Sequence, residues 1–273
     1  MAKTPGLSER DIERRLEKGC GQGRLSDYKP FLTVQDVSSK GRSHRVLGAK
    51  TNRIHHLLSD LELAVFLSLD WSADVTDIRE QYPLRRDKTV SLAAEAGIRH
   101  PAMGGVNQVA TSDFLVDSPS WIHRKFAIQV KYASDLNDAR TVEKLELERR
   151  YWKALDVPWF LITDRDVSKD AVANIKWLTA VSMESPSAED LQRYTQLFLR
   201  CIEESPRRKL VALAQQLDLN YSLEAGEALY WLRILLSQRY LLFDIQVPYQ
   251  TLMASDIAVN SSLVAEGGRR AAG

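Results

Sequence analysis

The chain is 273 residues long, 27% charged and 44% hydrophobic, with 37 Lys and Arg against 36 Asp and Glu. That composition excludes a collagen, a disordered tail protein and a disulfide-stapled miniprotein, and the length suggests two domains. A net charge of +1 neither requires nor excludes a nucleic-acid partner, so only the local distribution of charge bears on it.

Cys20 and Cys201 lie far apart, in no C-x-x-C pair and with no histidine at metal-ligand spacing. They read as reduced thiols of a reducing compartment. Residues 1–18 are charged rather than apolar, and no stretch reaches the roughly 18 uninterrupted apolar residues of a membrane span. The expected location is the cytoplasm, with no membrane contact.

Residues 1–58 are rich in Gly, Ser and charge, with one helical pattern at Ser8–Lys18. Lys40, Arg42, Arg45, Lys50 and Arg53 fall in a window without an acid, beside His44, His55 and His56. Such an arm suits phosphate contact, but a solvated loop is the commoner reading of such a stretch. Ser59-Asp60-Leu61-Glu62 is a capping-box pattern opening a helix, Asp60–Leu69.

Val75–Leu84 reads as a strand stopped by Pro83, and Thr111–Asp117 and Phe126–Tyr132 alternate as strands. A helix, Thr141–Leu155, and an apolar strand, Pro158–Thr163, follow. Strand, helix, strand in that order predicts a parallel pair, hence a mixed α/β core. Without a Gly-rich first turn it is no Rossmann fold. Beyond Ser168 the patterns are helical, near Lys169–Val181, Ala188–Glu203, Arg207–Leu217 and Leu223–Gln238, then an apolar run, Tyr240–Val247. Residues 267–273 read as a frayed tail. The boundary gives two domains, 1–167 and 168–273.

The chemistry concentrates in Glu62, Asp113 and Gln129-Val130-Lys131. Strand periodicity puts Gln129 and Lys131 on one face, and pairing of the two strands brings Asp113 beside them. Carboxylate oxygens bind hard Mg²⁺, which activates water and neutralises phosphoryl charge, and a lysine stabilises developing charge. The pattern therefore suits metal-dependent phosphodiester cleavage. Glu62 reads equally as a capping partner of Ser59, and Gln129 and Lys131 as the solvated face of an edge strand. Glu148 is a lesser candidate, since it also suits a surface pair with Lys144. His100 and His123 have no partners for zinc, and no phosphate-binding loop for ATP is present.

The segments GRSHRV (41–46), HHLLSDLELAVFLSLDW (55–71), DIREQYPL (77–84), SDFLVD (112–117), FAIQVK (126–131), EKLELERRYW (143–152) and PWF (158–160) resemble the TnsA family of Tn-seven-type transposons. The resemblance is specific from Gly21 to Trp177 and looser beyond. It implies a restriction-endonuclease-like mixed-sheet catalytic domain followed by a mainly helical, winged-helix-like C-terminal domain.

It also implies a DNA endonuclease that cuts the 5′ ends of a cut-and-paste element. A TnsB-type transposase would process the 3′ ends, and a TnsC-type AAA+ ATPase would bind the C-terminal domain. The family's site falls on Glu62, Asp113, Gln129 and Lys131. Its cation ligands fall on Glu62, Asp113, the Gln129 side chain and the Val130 carbonyl, for two Mg²⁺ ions with Mn²⁺ able to substitute. Gln129 departs from the restriction-enzyme pattern, which has an acid there, and implies weaker cation binding. Arg207, Arg208 and Lys209 suit either a contact patch or a solvated helix end. The rival readings are a stand-alone repair or junction nuclease of the same fold and a catalytically silent DNA-binding adaptor.

Overall fold

The structure, a computed structural model, describes residues 6–36, 41–181 and 184–263. The elements run α1 (Glu9–Glu17), β1 (His44–Leu47), β2 (Ile54–Leu57), α2 (Asp60–Trp71), β3 (Asp77–Pro83), α3 (Arg86–Glu95), β4 (Ala102–Met103) and β5 (Val106–Asn107). There follow β6 (Thr111–Asp117), β7 (Lys125–Val130), α4 (Ala139–Ala154), β8 (Trp159–Ile162), α5 (Lys169–Thr179), α6 (Ala188–Glu204), α7 (Leu210–Asn220), α8 (Glu227–Ser237), β9 (Leu241–Leu242) and β10 (Ala258–Val259). The chain divides into two compact units, Met1–Val167 and Ser168–Gly273. None of the described helices is long and apolar enough to cross a membrane.

The first unit is built on a four-stranded sheet in the order β3-β6-β7-β8, antiparallel except for the parallel pair β7–β8. That mixed α/β core and its parallel pair are what the order of patterns predicts. Helix α2 buries Leu61, Leu63, Val65, Phe66 and Leu67, so it is apolar nearly all round, as a helix enclosed by its domain must be. Tyr151 and Trp152 of α4 pack on Leu84, Leu115 and Ala127. Gln129 and Val130 are buried on an interior strand, so the alternative of a solvated edge face for Gln129 is overturned.

Helix α3 and the β1–β2 hairpin are among the features that escape the sequence patterns. Helix α3 has no side-chain cap at Arg85 and buries only Thr89 and Ala93, so it carries neither a start signal nor an apolar stripe. The supposed polar arm holds an antiparallel hairpin, β1–β2, whose buried positions include His55 beside Leu57. Polar letters hid its alternation. Lys40 and residues 267–273 lie outside the described residues.

The second unit is mainly helical. Leu178, Phe198, Leu213, Leu217 and Leu232 are buried, and the antiparallel ribbon β9–β10 follows α8 as a short wing. Only Leu241–Leu242 of the expected apolar run is a strand. Helix α7 begins at Leu210 rather than Arg207, with Lys209 as its N-cap and Arg208 bonded to Gln216. Trp177 stacks on Tyr249 of its own unit at 4.2 Å between ring centres and lies under Arg233.

Candidate active site

Ser59 caps α2: its Oγ accepts from the Glu62 N–H at 3.0 Å and donates to Glu62 Oε1 at 3.2 Å. The Leu58 N–H donates to Glu62 Oε2 at 2.9 Å, so the reciprocal half of the cap falls one residue early. Capping does not exhaust Glu62. Only 7% exposed, it faces Asp113, and burial followed by the Asp113 charge pushes its pKa up to about 8.

Asp113 is 6% exposed at the start of β6. Its Oδ2 accepts from the Val130 N–H at 2.7 Å and lies 3.6 Å from Lys131 Nζ. Its own N–H donates to Gln129 Oε1 at 3.1 Å. Lys131 Nζ donates to the Val130 carbonyl at 2.8 Å. Burial works against the ammonium, but Asp113, Glu148 and Glu62 outweigh it and raise its pKa above the usual lysine value. The structure thus brings Glu62, Asp113, Gln129, Val130 and Lys131 to one end of the sheet.

Glu148 is no surface partner of Lys144. It is buried, and accepts from Ser112 Oγ at 2.5 Å and Trp159 Nε1 at 2.9 Å, while Trp152 Nε1 donates to Ser112 Oγ at 2.7 Å. Burial pushes its pKa up to about 8 in spite of those donors. Sequence reasoning missed Gln81 altogether. Its Nε2 donates to Glu62 Oε2 and to Asp113 Oδ1, both at 3.4 Å, and its Oε1 accepts from Thr111 Oγ1 at 3.2 Å.

Two carboxylates less than a tenth exposed, with one ammonium beside them, are short of positive charge, which is the condition a cation relieves. The oxygens on offer are hard: Glu62, Asp113, the Gln129 amide and the Val130 carbonyl. Among the described residues no group of three or more His, Cys, Asp or Glu is placed to hold a metal. Any cation here therefore depends on neutral oxygens and water as well as on the two acids, a set that fits Mg²⁺ better than a softer ion. Lys131 Nζ lies against Val130 O and Asp113 Oδ2, two of the oxygens that would hold such an ion.

The sequence model of the family described as TnsA-like endonuclease N terminal matches residues 72–164, and that described as TnsA endonuclease C terminal matches residues 166–245. The transposon Tn7 transposition protein TnsA of Escherichia coli is 45% identical over 261 residues, covering 95% of each chain. The chain belongs to the TnsA endonuclease family. For a TnsA-family nuclease, the mixed sheet with two acids and a lysine at one end is the expected restriction-endonuclease-like core, and a divalent metal cofactor is the general requirement. Of the two family matches, the first carries Asp113, Gln129, Val130 and Lys131, whereas Glu62 lies upstream of it.

Proposed function

We propose that this protein is the Mg²⁺-dependent endonuclease of a cut-and-paste transposon, cleaving the 5′ ends of the element while a TnsB-type transposase processes the 3′ ends. The observation that carries the reading is the convergence of Glu62, Asp113, the Val130 carbonyl and Lys131 in a chain of the TnsA family. Glu62, Asp113, the Gln129 side chain and the Val130 carbonyl would hold the metal, two Mg²⁺ ions with Mn²⁺ able to substitute. Bound there, the metal supplies an acidified water and neutralises charge on the phosphate.

The chain's own groups do the rest. The ammonium of Lys131, kept charged by the surrounding carboxylates, steadies the incoming water and the non-bridging phosphate oxygens. The Val130 N–H holds Asp113 Oδ2, and the α2 cap holds Glu62, so neither carboxylate spends rotamer freedom when DNA arrives. Water oxygen bonds to phosphorus as the bond to the 3′ oxygen breaks. That oxygen leaves with a proton, giving 5′-phosphate and 3′-hydroxyl ends.

Residues 168–273 bind the TnsC-type AAA+ ATPase and add DNA contact. With end recognition left to the TnsB-type partner, the chain itself has little sequence specificity. The work is done in the cytoplasm, on double-stranded transposon ends in the nucleoid.

The test is strand-specific nicking of a labelled transposon-end duplex with Mg²⁺, with and without both partners, for wild type and Asp113→Ala. Partner-dependent 5′ cleavage lost in Asp113→Ala is the expected result. Cleavage by the chain alone returns the stand-alone nuclease, and 3′ joining without Asp113-dependent 5′ cleavage returns the adaptor.

A further inference from the structure

Gln81 lies between two paired rows of the sheet, Glu80 with Phe114 and Tyr82 with Ser112, and so stands across from Asp113. Its backbone has φ +48°, the left-handed region that a non-glycine residue enters at a cost of about 1 kcal/mol. The strand's alternation breaks there. Glu80 turns its carboxylate to Arg53 and His55, whereas Tyr82, two residues on, packs against Trp152. The side chain of Gln81 is 2% exposed, and its amide tip is equidistant from the two carboxylates, 3.4 Å from each.

That separation is close to a coordination edge. Ligand oxygens about 2.1 Å from Mg²⁺ and at right angles to each other lie about 3 Å apart. The tip of Gln81 is therefore within a few tenths of an ångström of ligand-to-ligand spacing from Glu62 Oε2 and Asp113 Oδ1. The amide shows its NH₂ to both acids. Its other end rests on the Thr111 hydroxyl, which can donate to an amide oxygen or accept from an amide nitrogen, so either orientation of the amide is satisfied.

We propose that Gln81 is a further cation ligand of this site. Rotation about its last side-chain bond turns Oε1 toward Glu62 and Asp113, and Nε2 then donates to Thr111. The inference rests on the reading above that these two carboxylates hold a cation, and it adds a neutral oxygen to a donor set with only two acids. It also gives the left-handed backbone a purpose, since a regular strand residue at 81 would continue the alternation instead of breaking it.

The experiment is a Mn²⁺ titration of the full chain without DNA, with the bound ion read from loss of the free-ion EPR signal. The variants are Gln81→Leu, Gln81→Glu and Asp113→Asn, each also checked for its melting temperature. Gln81→Leu weakens Mn²⁺ binding about tenfold, Gln81→Glu tightens it, and Asp113→Asn removes it. Wild-type or tighter binding by Gln81→Leu shows an amide that is only a neighbour or a competitor, and overturns the ligand role; loss of binding in Asp113→Asn then leaves the site itself standing. If Asp113→Asn binds Mn²⁺ as wild type does, the cation reading is what has failed. Should Gln81→Leu not fold, binding by Gln81→Glu that is unchanged or weaker than wild type overturns the ligand role.

Discussion

Glu80 is fully buried next to Gln81, and replacing Arg53 by Met tests what keeps it charged there. Arg53 Nη1 donates to Glu80 Oε1 at 2.8 Å, its Nη2 donates to Oε2 and to the Ile78 carbonyl, and its guanidinium lies 5.0 Å from the centre of the Tyr28 ring. His55 Nδ1 and the His56 N–H complete the shell at 2.8 and 3.1 Å. Burial pushes the Glu80 carboxyl up, but Arg53 and His55 outweigh it and hold the pKa at about 2. Against a usual value of 4.5, that depression is worth about 3 kcal/mol of folding stability.

Removing one partner of a buried ion pair costs about 3–5 kcal/mol, a figure of the same size. Because the folded pKa is depressed, the contribution is complete above the ordinary carboxylate range and is lost as pH falls toward 2. In Arg53→Met burial acts with one opponent fewer, so Glu80 takes up a proton at a higher pH and the penalty shrinks on acidification. Urea unfolding of wild type and variant at about pH 7.5 and about pH 5 measures this. A loss under about 1 kcal/mol, or an equal loss at both pH values, would refute the reasoning.

Glu148→Gln keeps an oxygen for Ser112 and Trp159 but cannot ionise. The folded pKa of Glu148 is raised to about 8, so its contribution is complete below the ordinary carboxylate value and is lost as pH rises toward 8. The wild-type melting temperature should therefore fall more between about pH 6 and about pH 8.5 than that of Glu148→Gln, and parallel falls would count against the assignment. Gly21→Ala should cost about 2–4 kcal/mol, because Gly21 has φ +84° and an added Cβ would lie 2.1 Å from Pro83 Cγ; a urea midpoint near wild type would contradict it. Arg42 and Arg45 are exposed beside or on the β1–β2 hairpin, so changing both to Ala should weaken DNA engagement and lower the salt slope by about 1 for each phosphate no longer neutralised. An unchanged slope would make that segment a solvated surface.

The parts of the fold that could be read in advance are those where one physical rule acts alone. Thr111–Asp117 is a strand from end to end, and the β7–α4–β8 crossover follows from chain order and handed geometry. That Glu62, Asp113 and Gln129-Val130-Lys131 meet at one end of the sheet could be expected too, since they fall in the segments that carry the resemblance. Rules that compete gave the misses. Glu148 sits among Glu, Lys and Arg on a helix of good formers, and nothing local marks it as the one acid that Ser112 and Trp159 draw inward. Arg53 and His55 read as a polar arm because their partner Glu80 is 25 or more residues away and itself reads as an exposed strand position.

Gln81 shows most clearly why local pattern is insufficient at the site. Alternation assigns side chains to faces only while the strand remains regular. Here Ser112 and Leu115, three residues apart on β6, both reach Trp152, and β3 turns over at Gln81 through a left-handed residue. The irregular row is the one that carries Asp113. In a regular strand Asp113 would share the face of Leu115, against Trp152 of α4 and away from the carboxylate of α2, and the cluster would lose its second acid. The same break that defeats periodicity thus places two acids around one amide, so the site is least legible where its geometry is most specialised.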